Sequence, residues 1–312
     1  MARRNTTGGV LMKQSKCRCR MRALLVCLVL SVCGKLWAQD ALPPLPAVPA
    51  VMAVCDTLPL YSARTDTVAV PPLAFPSAFL QTTDNYLTDS VGLLNPFWEK
   101  LRLLHAGASD DTICIVHIGD SHVRGHIFPQ TTGTLLQQVF GALTYIDMGI
   151  NGATCRSFTR PERVEAVAAL HPDLLILSFG TNEAHNRRYL SSLHYRQMAQ
   201  LVRLLQQALP HVPMLLTTPP GAYERVRRRV YRINPRTQVA VQTMRRFADD
   251  NGLALWNLYE IGGGARRACR NWWEAGLMRP DHIHFLPEGY DLQGRLLFHA
   301  LLKAYNDYVE SE

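Results

Sequence analysis

The sequence predicts an α/β fold, a three-layer α/β/α sandwich around a flavodoxin-like parallel sheet of about five strands. Two observations predict it. Short apolar runs alternate with helical stretches along most of the chain, as strands covered on both faces by helices require. One of these runs also stops at a glycine and is followed at once by Asp120, Ser121 and His122 (IVHIGDSHVRG, 115–125). Polar side chains at the carboxyl end of a strand lie where open parallel sheets gather their ligands.

The elements follow in chain order. MRALLVCLVLSVCGKLWAQD carries a positive flank, a short apolar stretch and a small residue before a polar one, so residues 1–38 read as a signal peptide cleaved after Ala38. The apolar run from Ala23 to Cys33 is shorter than a membrane span needs. LSVC, ending at Cys33, approaches a lipoprotein box, with Val32 where a small residue is expected. Residues 39–85 read as a proline-rich tether, because proline removes backbone donors and favours extended chain. The main folded domain is expected over 86–312. It opens with a helix in NPFWEKLRLLHAG, which has proline near its start and glycine at its end. Strands are expected at Thr112–Ile118, Thr144–Met148, Asp173–Ser178, Met214–Thr217 and Ala254–Leu258. Helices are expected near 129–140, 160–170, 191–208, 236–251 and 287–307.

The formal charge of +8 suggests an anionic partner until it is located. Eight of the 33 basic residues fall within 1–38, which contain no acid, and the remainder balances at 25 against 25. Nucleic-acid binding thereby loses its compositional support, and no nucleic-acid partner is expected. Four cysteines lie beyond the signal segment, Cys55, Cys114, Cys155 and Cys269, and their pairing is open. No CxxC or HExxH spacing is present and the histidines lack zinc-like spacing, so neither a metal nor an organic cofactor is expected.

Reading the carboxyl end of each strand gives four blocks: GDSH (119–122), GINGAT (149–154), FGTNEAH (179–185) and, before the last helix, RPDHIHFLPEGY (279–290). Their chemistry is coherent. A serine hydroxyl is a weak nucleophile until a neighbouring base takes its proton. His284 can be that base, and Asp281, three residues earlier, can hold the imidazole in the right tautomer. Attack on an ester creates an oxyanion that needs donors already in place. Gly152 can offer an unobstructed backbone N–H, Asn182 a neutral amide, and Ser121 its own N–H.

These blocks, in this order from Leu94 to Tyr308, resemble the SGNH hydrolases, the GDSL-type esterase superfamily. The resemblance implies Ser121 as nucleophile, Asp281 and His284 as its partners, and an oxyanion hole formed by Ser121, Gly152 and Asn182. Two positions depart from the family pattern. Glu183 stands where aspartate is common, and His122 replaces the leucine of G-D-S-L. The G-D-S-H form resembles the branch that contains bacterial peptidoglycan O-acetylesterases. The expectation is therefore an exported, periplasmic or envelope-associated serine esterase that removes acetyl groups from a carbohydrate, with acetylated peptidoglycan as the leading substrate. Transfer of the acyl group to a glycan hydroxyl, lipase or thioesterase action on the same fold, and a silent glycan-binding module are the alternatives. A membrane tether is expected only if the signal segment is retained or lipidated.

Some residues carry both a chemical and a plain structural reading. Ser121 could simply cap a helix, and Gly152 and Asn182 could be turn residues. His122, Trp272 and Trp273 could contact substrate, the two tryptophans as a sugar-stacking platform, or could pack in the core. His117 and His282 read as packing or hydrogen-bonding neighbours of the site, and Asp120 as a brace for its loop. The basic run ERVRRRVYR (224–232) reads as a solvated loop, with attraction of an anionic glycan as its alternative.

Overall fold

The computed structural model describes residues 66–312. The expected signal peptide lies outside the described residues, as do residues 39–65 of the expected tether and Cys55.

Five parallel strands form the sheet expected from the apolar runs: β2 (Ile113–Gly119), β3 (Leu143–Gly149), β4 (Leu174–Ser178), β5 (Met214–Thr217) and β8 (Ala254–Trp256). A two-residue strand, β1 (Leu87–Thr88), adds antiparallel to β8, giving the spatial order β1-β8-β5-β4-β2-β3. Counted along the chain, the parallel strands stand second, first, third, fourth and fifth, the doubly wound flavodoxin-like order. Chain direction across the sheet reverses between β2 and β4, which opens a crevice at their carboxyl ends.

The period-2 pattern of each strand builds two cores. In β2, Ile113 and Ile115 face one side with Trp256 and the helices Asn95–His105, Ile127–Phe140 and Pro287–Ser311. Val116 and Ile118 face the other side, against the helices Pro161–Ala168, Ser191–Ala208 and Pro235–Asn251. Strands buried on both faces need apolar residues at every position, so the runs show no polar alternation.

The tether expectation does not hold for residues 66–85. Asn306 holds both backbone groups of Val68, at 2.9 and 2.8 Å, and Arg102 pairs with Asp66 at 2.9 Å. Leu80 is held the same way by Asn271, and Phe79 packs edge-on to Trp272. Asn85 is buried between Leu296 O and the Trp256 indole N–H. Proline denies this stretch its own ladder, but side-chain amides of the last two helices satisfy its backbone instead. It belongs to the domain.

A second departure is the run 224–232. It is not a loop but part of a separate antiparallel ribbon, β6 (Tyr223–Arg227) and β7 (Val230–Ile233), standing apart from the main sheet. The short helices Ser121–Arg124, Thr181–His185 and Leu258–Ile261, and the longer Gly264–Glu274, were likewise not expected. Among the described residues Cys114, Cys155 and Cys269 are all free thiols.

Candidate active site

The site begins where β2 ends. Gly119 has no room for a side chain: a Cβ there would lie 2.7 Å from Ser178 O and 2.4 Å from Val123 Cγ2. At the end of β3, a Cβ on Gly149 would fall 2.0 Å from the backbone nitrogen of Arg124. The two glycines let the turn after β2 sink between its neighbours, and the helix Ser121–Arg124 starts there. Asp120 caps it, accepting from His122 N–H at 2.9 Å. Burial pushes the Asp120 carboxyl up to about 7, against the opposing hydrogen bond from the His122 backbone; the nearby Glu183 charge adds to the rise.

The last block meets this turn from across the molecule. Ser121 Oγ donates to His284 Nε2 at 2.9 Å, over 163 residues of sequence. His284 Nδ1–H donates to Asp281 Oδ2 at 2.8 Å. Asp281 Oδ1 accepts the backbone N–H groups of Ile283 and His284, both at 2.9 Å. Burial would raise the Asp281 pKa, but bonds from the His284 backbone, the His284 ring and the Ile283 backbone outweigh it and hold the carboxyl low. An ionised carboxylate only accepts, so it fixes the proton on Nδ1 and leaves Nε2 as the acceptor facing serine. The serine, imidazole and carboxylate form one hydrogen-bonded line.

The other two blocks flank that line. Gly152 sits in the turn after β3 with φ +72°, and open space surrounds the position its Cβ would take. The Ser121 and Gly152 amides make no hydrogen bond among the described residues. Asn182, on the helix after β4, donates through Nδ2 to Ala153 O at 2.8 Å and, weakly, to Asp120 Oδ2 at 3.5 Å. It therefore ties the Gly152 turn to the Ser121 turn. The neighbouring Glu183 braces the same loops from below, accepting from Cys155 N–H at 2.8 Å and Gly180 N–H at 3.0 Å.

The three expected substrate contacts separate. Trp272 is fully buried, packed edge-on to Phe79 and Phe285, so it is a core residue and not a platform. His122 is also buried; its Nδ1 meets Tyr290 OH at 3.1 Å and its ring lies against those of His284 and Phe285. It supports the His284 ring from the protein side instead of reaching outward. Burial, with the nearby His284 and His185, pushes its pKa down to about 3, so the ring is neutral. Trp273 alone is exposed, at 42%, and stacks on His282 at 4.1 Å. His117 is buried beneath the site between Tyr145 OH and Ser178 Oγ, a packed residue as expected. Tyr290 was missed. It lies four residues into the last helix block, and only the fold reveals that its hydroxyl reaches His122.

One set of potential metal ligands is brought together among the described residues: Cys155, Glu183 and His194, buried, with ligand atoms within 4.8 Å of one another. They come from three separate elements, so no sequence spacing announces them. Both carboxylate oxygens of Glu183 are engaged by backbone N–H groups.

The fold and the hydrogen-bonded line at its switch point define a class, the carboxylic ester hydrolases that work on an α/β/α scaffold. The chain belongs to the GDSL-like lipase/acylhydrolase family, whose model matches residues 117–292, and with it to the SGNH hydrolase superfamily. In fold it is similar to a peptidoglycan O-acetylesterase, at 19% identity and a TM-score of 0.64, over 72% of this chain and 99% of that one. It is also similar to an acetyl xylan esterase (20% identity, TM-score 0.49, 61% of this chain and 100% of that one). A third neighbour is a lipase/acylhydrolase from Enterococcus faecalis (19% identity, TM-score 0.48, 62% and 97%). No curated protein matches the chain.

Proposed function

We propose that this chain is an exported serine esterase that removes acetyl groups from a carbohydrate, with O-acetylated peptidoglycan as substrate. The observation that carries the catalytic part is the Ser121–His284–Asp281 line, at 2.9 and 2.8 Å. Ser121 Oγ attacks the acyl carbonyl while His284 Nε2 takes its proton, and Asp281 stabilises the imidazolium. The tetrahedral oxyanion is received by the unused amides of Ser121 and Gly152. The Asn182 amide hydrogen spent on the 3.5 Å contact is the third donor, since a bond that long gives up little on transfer. Collapse breaks the ester bond, and His284 returns the proton to the departing sugar oxygen. Water, deprotonated by the same imidazole, then attacks the acyl-serine and releases acetate and free Ser121.

Two observations support the substrate. A fold match with a TM-score of 0.64 is to a peptidoglycan O-acetylesterase. The N-terminal segment also reads as an export signal, which would place the enzyme beside envelope glycans. The mature protein should release acetate from O-acetylated peptidoglycan and should prefer acetyl to octanoyl model esters. Equal or better turnover of octanoyl esters, with no acetate from any acetylated glycan, would move the reading to lipid or thioester hydrolysis.

A further inference from the structure

The ribbon β6–β7 is built onto the site, not merely near it. Tyr223 N–H at its base donates to His282 O at 3.0 Å, within the loop that carries Asp281 and His284. His185 Nε2, on the helix that carries Asn182, lies 3.3 Å from Tyr223 O. The Tyr231 ring packs on His282 at 4.0 Å, and Trp273 stacks on that imidazole at 4.1 Å. The base of the ribbon is thus joined to both the Asp–His loop and the Asn182 helix.

Its far end is charged. Arg225, Arg227, Arg228 and Arg229 are all exposed, and none has an ion pair among the described residues. The two further arginines, Arg232 and Arg236, are different: both pair with the single carboxylate of Glu224, which offsets one of their two charges. Outside residues 1–38 the chain is formally balanced, so four unpaired cations on one strand and its turn are a local excess and not part of a general positive surface. Solubility alone would be served by these charges anywhere. Here they stand on an arm hydrogen-bonded to the reacting loop. Guanidinium groups bind carboxylates and phosphates through paired N–H donors, and stay charged at any physiological pH.

We propose that the ribbon is a docking arm for an acylated polyanionic glycan, holding carboxylate- or phosphate-bearing stretches of the polymer while an acyl group sits at Ser121. The proposal rests on the esterase reading of the site. It narrows the substrate to charged polymers over neutral acetylated glycans, with the exposed Trp273 stacked on His282, the imidazole that Tyr231 of the arm also packs against.

The test replaces Arg225, Arg227, Arg228 and Arg229 together by glutamine in the mature protein. These side chains touch nothing in the core, so hydrolysis of p-nitrophenyl acetate should match the parent. On O-acetylated peptidoglycan at low salt, kcat/KM should fall by about tenfold or more, through KM, and the parent's steep loss of rate with added salt should flatten. A binding measurement separates this proposal from the catalytic one. Ser121→Ala protein, which keeps the arm, should co-sediment with insoluble peptidoglycan, and the same protein carrying the four glutamines should not. Carbodiimide-blocked carboxylates and hydrofluoric acid-stripped phosphates identify which anion is held. Equal co-sedimentation with and without the arginines, or equal binding to neutral acetylated xylan, would overturn the arm. So would binding to anionic lipid vesicles without binding to the glycan. Failure of the parent to cleave p-nitrophenyl acetate would instead count against the esterase reading, and the sedimentation result would still stand on its own.

Discussion

The two halves of the reacting line are positioned by different physics. Ser121 sits on a turn jammed between strands, above a buried Asp120 and beneath glycines whose hydrogens are the only substituents the packing admits. His284 and Asp281 sit on an open loop, with side chains 31% and 45% exposed. That loop is held by bonds within itself, from Asp281 to two of its own amides, and by ring stacking on His282, which adopts φ +60°. The nucleophile is placed by the sheet, the base by a local clasp. Disturbing the first should cost the fold; disturbing the second should cost rate.

The largest effect expected is chemical. Ser121→Ala should abolish acyl-enzyme formation while leaving the melting temperature unchanged, and His284→Ala should lose at least about a thousandfold in kcat/KM. Labelling by a fluorophosphonate reports both, and near-normal turnover by a folded Ser121→Ala variant would remove the assignment.

Next come the glycines. Ala at 149 meets backbone at 2.0 Å and should destabilise by about 3 kcal/mol or more, with loss of activity in whatever remains folded. Ala at 152 has space and bears only its positive φ, for about 1 to 2 kcal/mol. Urea unfolding of the two variants side by side measures the difference, and equal losses would contradict the account of the serine turn.

The buried imidazoles set a pH response. Burial pushes His117 and His122 down to about 3, from an ordinary value of 6.5. Between those values the unfolded chain binds protons that the folded one refuses, so stability should fall as pH drops from about 6.5 toward 3. His194 acts in the same sense, lowered by burial against the pull of Glu183. Asp120 opposes them. Raised from 3.8 to about 7, it holds a proton in the folded state that the unfolded chain has released, and so gains stability on acidification. Several imidazoles against one carboxyl leave a net acid loss, read as a lower urea midpoint at pH 4.5 than at pH 7. A midpoint that rises on acidification would reverse the sign.

The smallest effect tests the clasp. His282→Ala removes three ring contacts, with Tyr223, Tyr231 and Trp273, and should cost about 1 kcal/mol of stability. Its kcat should fall with little change in KM for a small ester, and His282→Phe should recover part of the rate. An unchanged kcat in the alanine variant would mean that the loop keeps its geometry without the stack.

The sequence resolved the parts of this molecule whose causes are local. Strands buried on both faces advertise themselves as apolar runs, and the polar residues that follow them have no packing reason to be there. Ser121, Gly152, Asn182, Asp281 and His284 were legible for that reason, and the structure gathers them at one crevice. What stayed hidden depends on distant partners. Trp272 and Trp273 are adjacent and chemically identical, yet one fills the core and the other faces solvent, because a helical step turns them to different sides. The proline-rich residues 66–85 looked unattached because the groups that satisfy their backbone, Asn271 and Asn306, lie about two hundred residues away. The ribbon 223–233 was masked by its arginines: exposed charge on both strands erases the alternation by which a strand is usually recognised. Cys155, Glu183 and His194 meet only in three dimensions.

The 163 residues between Ser121 and His284 have a consequence in time. Contacts so far apart in sequence close late in folding, after the sheet that brings their loops together has formed. Until then Ser121 is an ordinary alcohol with no base beside it, and an unfolded or half-folded chain has no power to acylate itself on whatever ester it meets. The nucleophile is armed by the final docking event, so recovery of fluorophosphonate labelling after dilution from denaturant should follow the slowest folding phase.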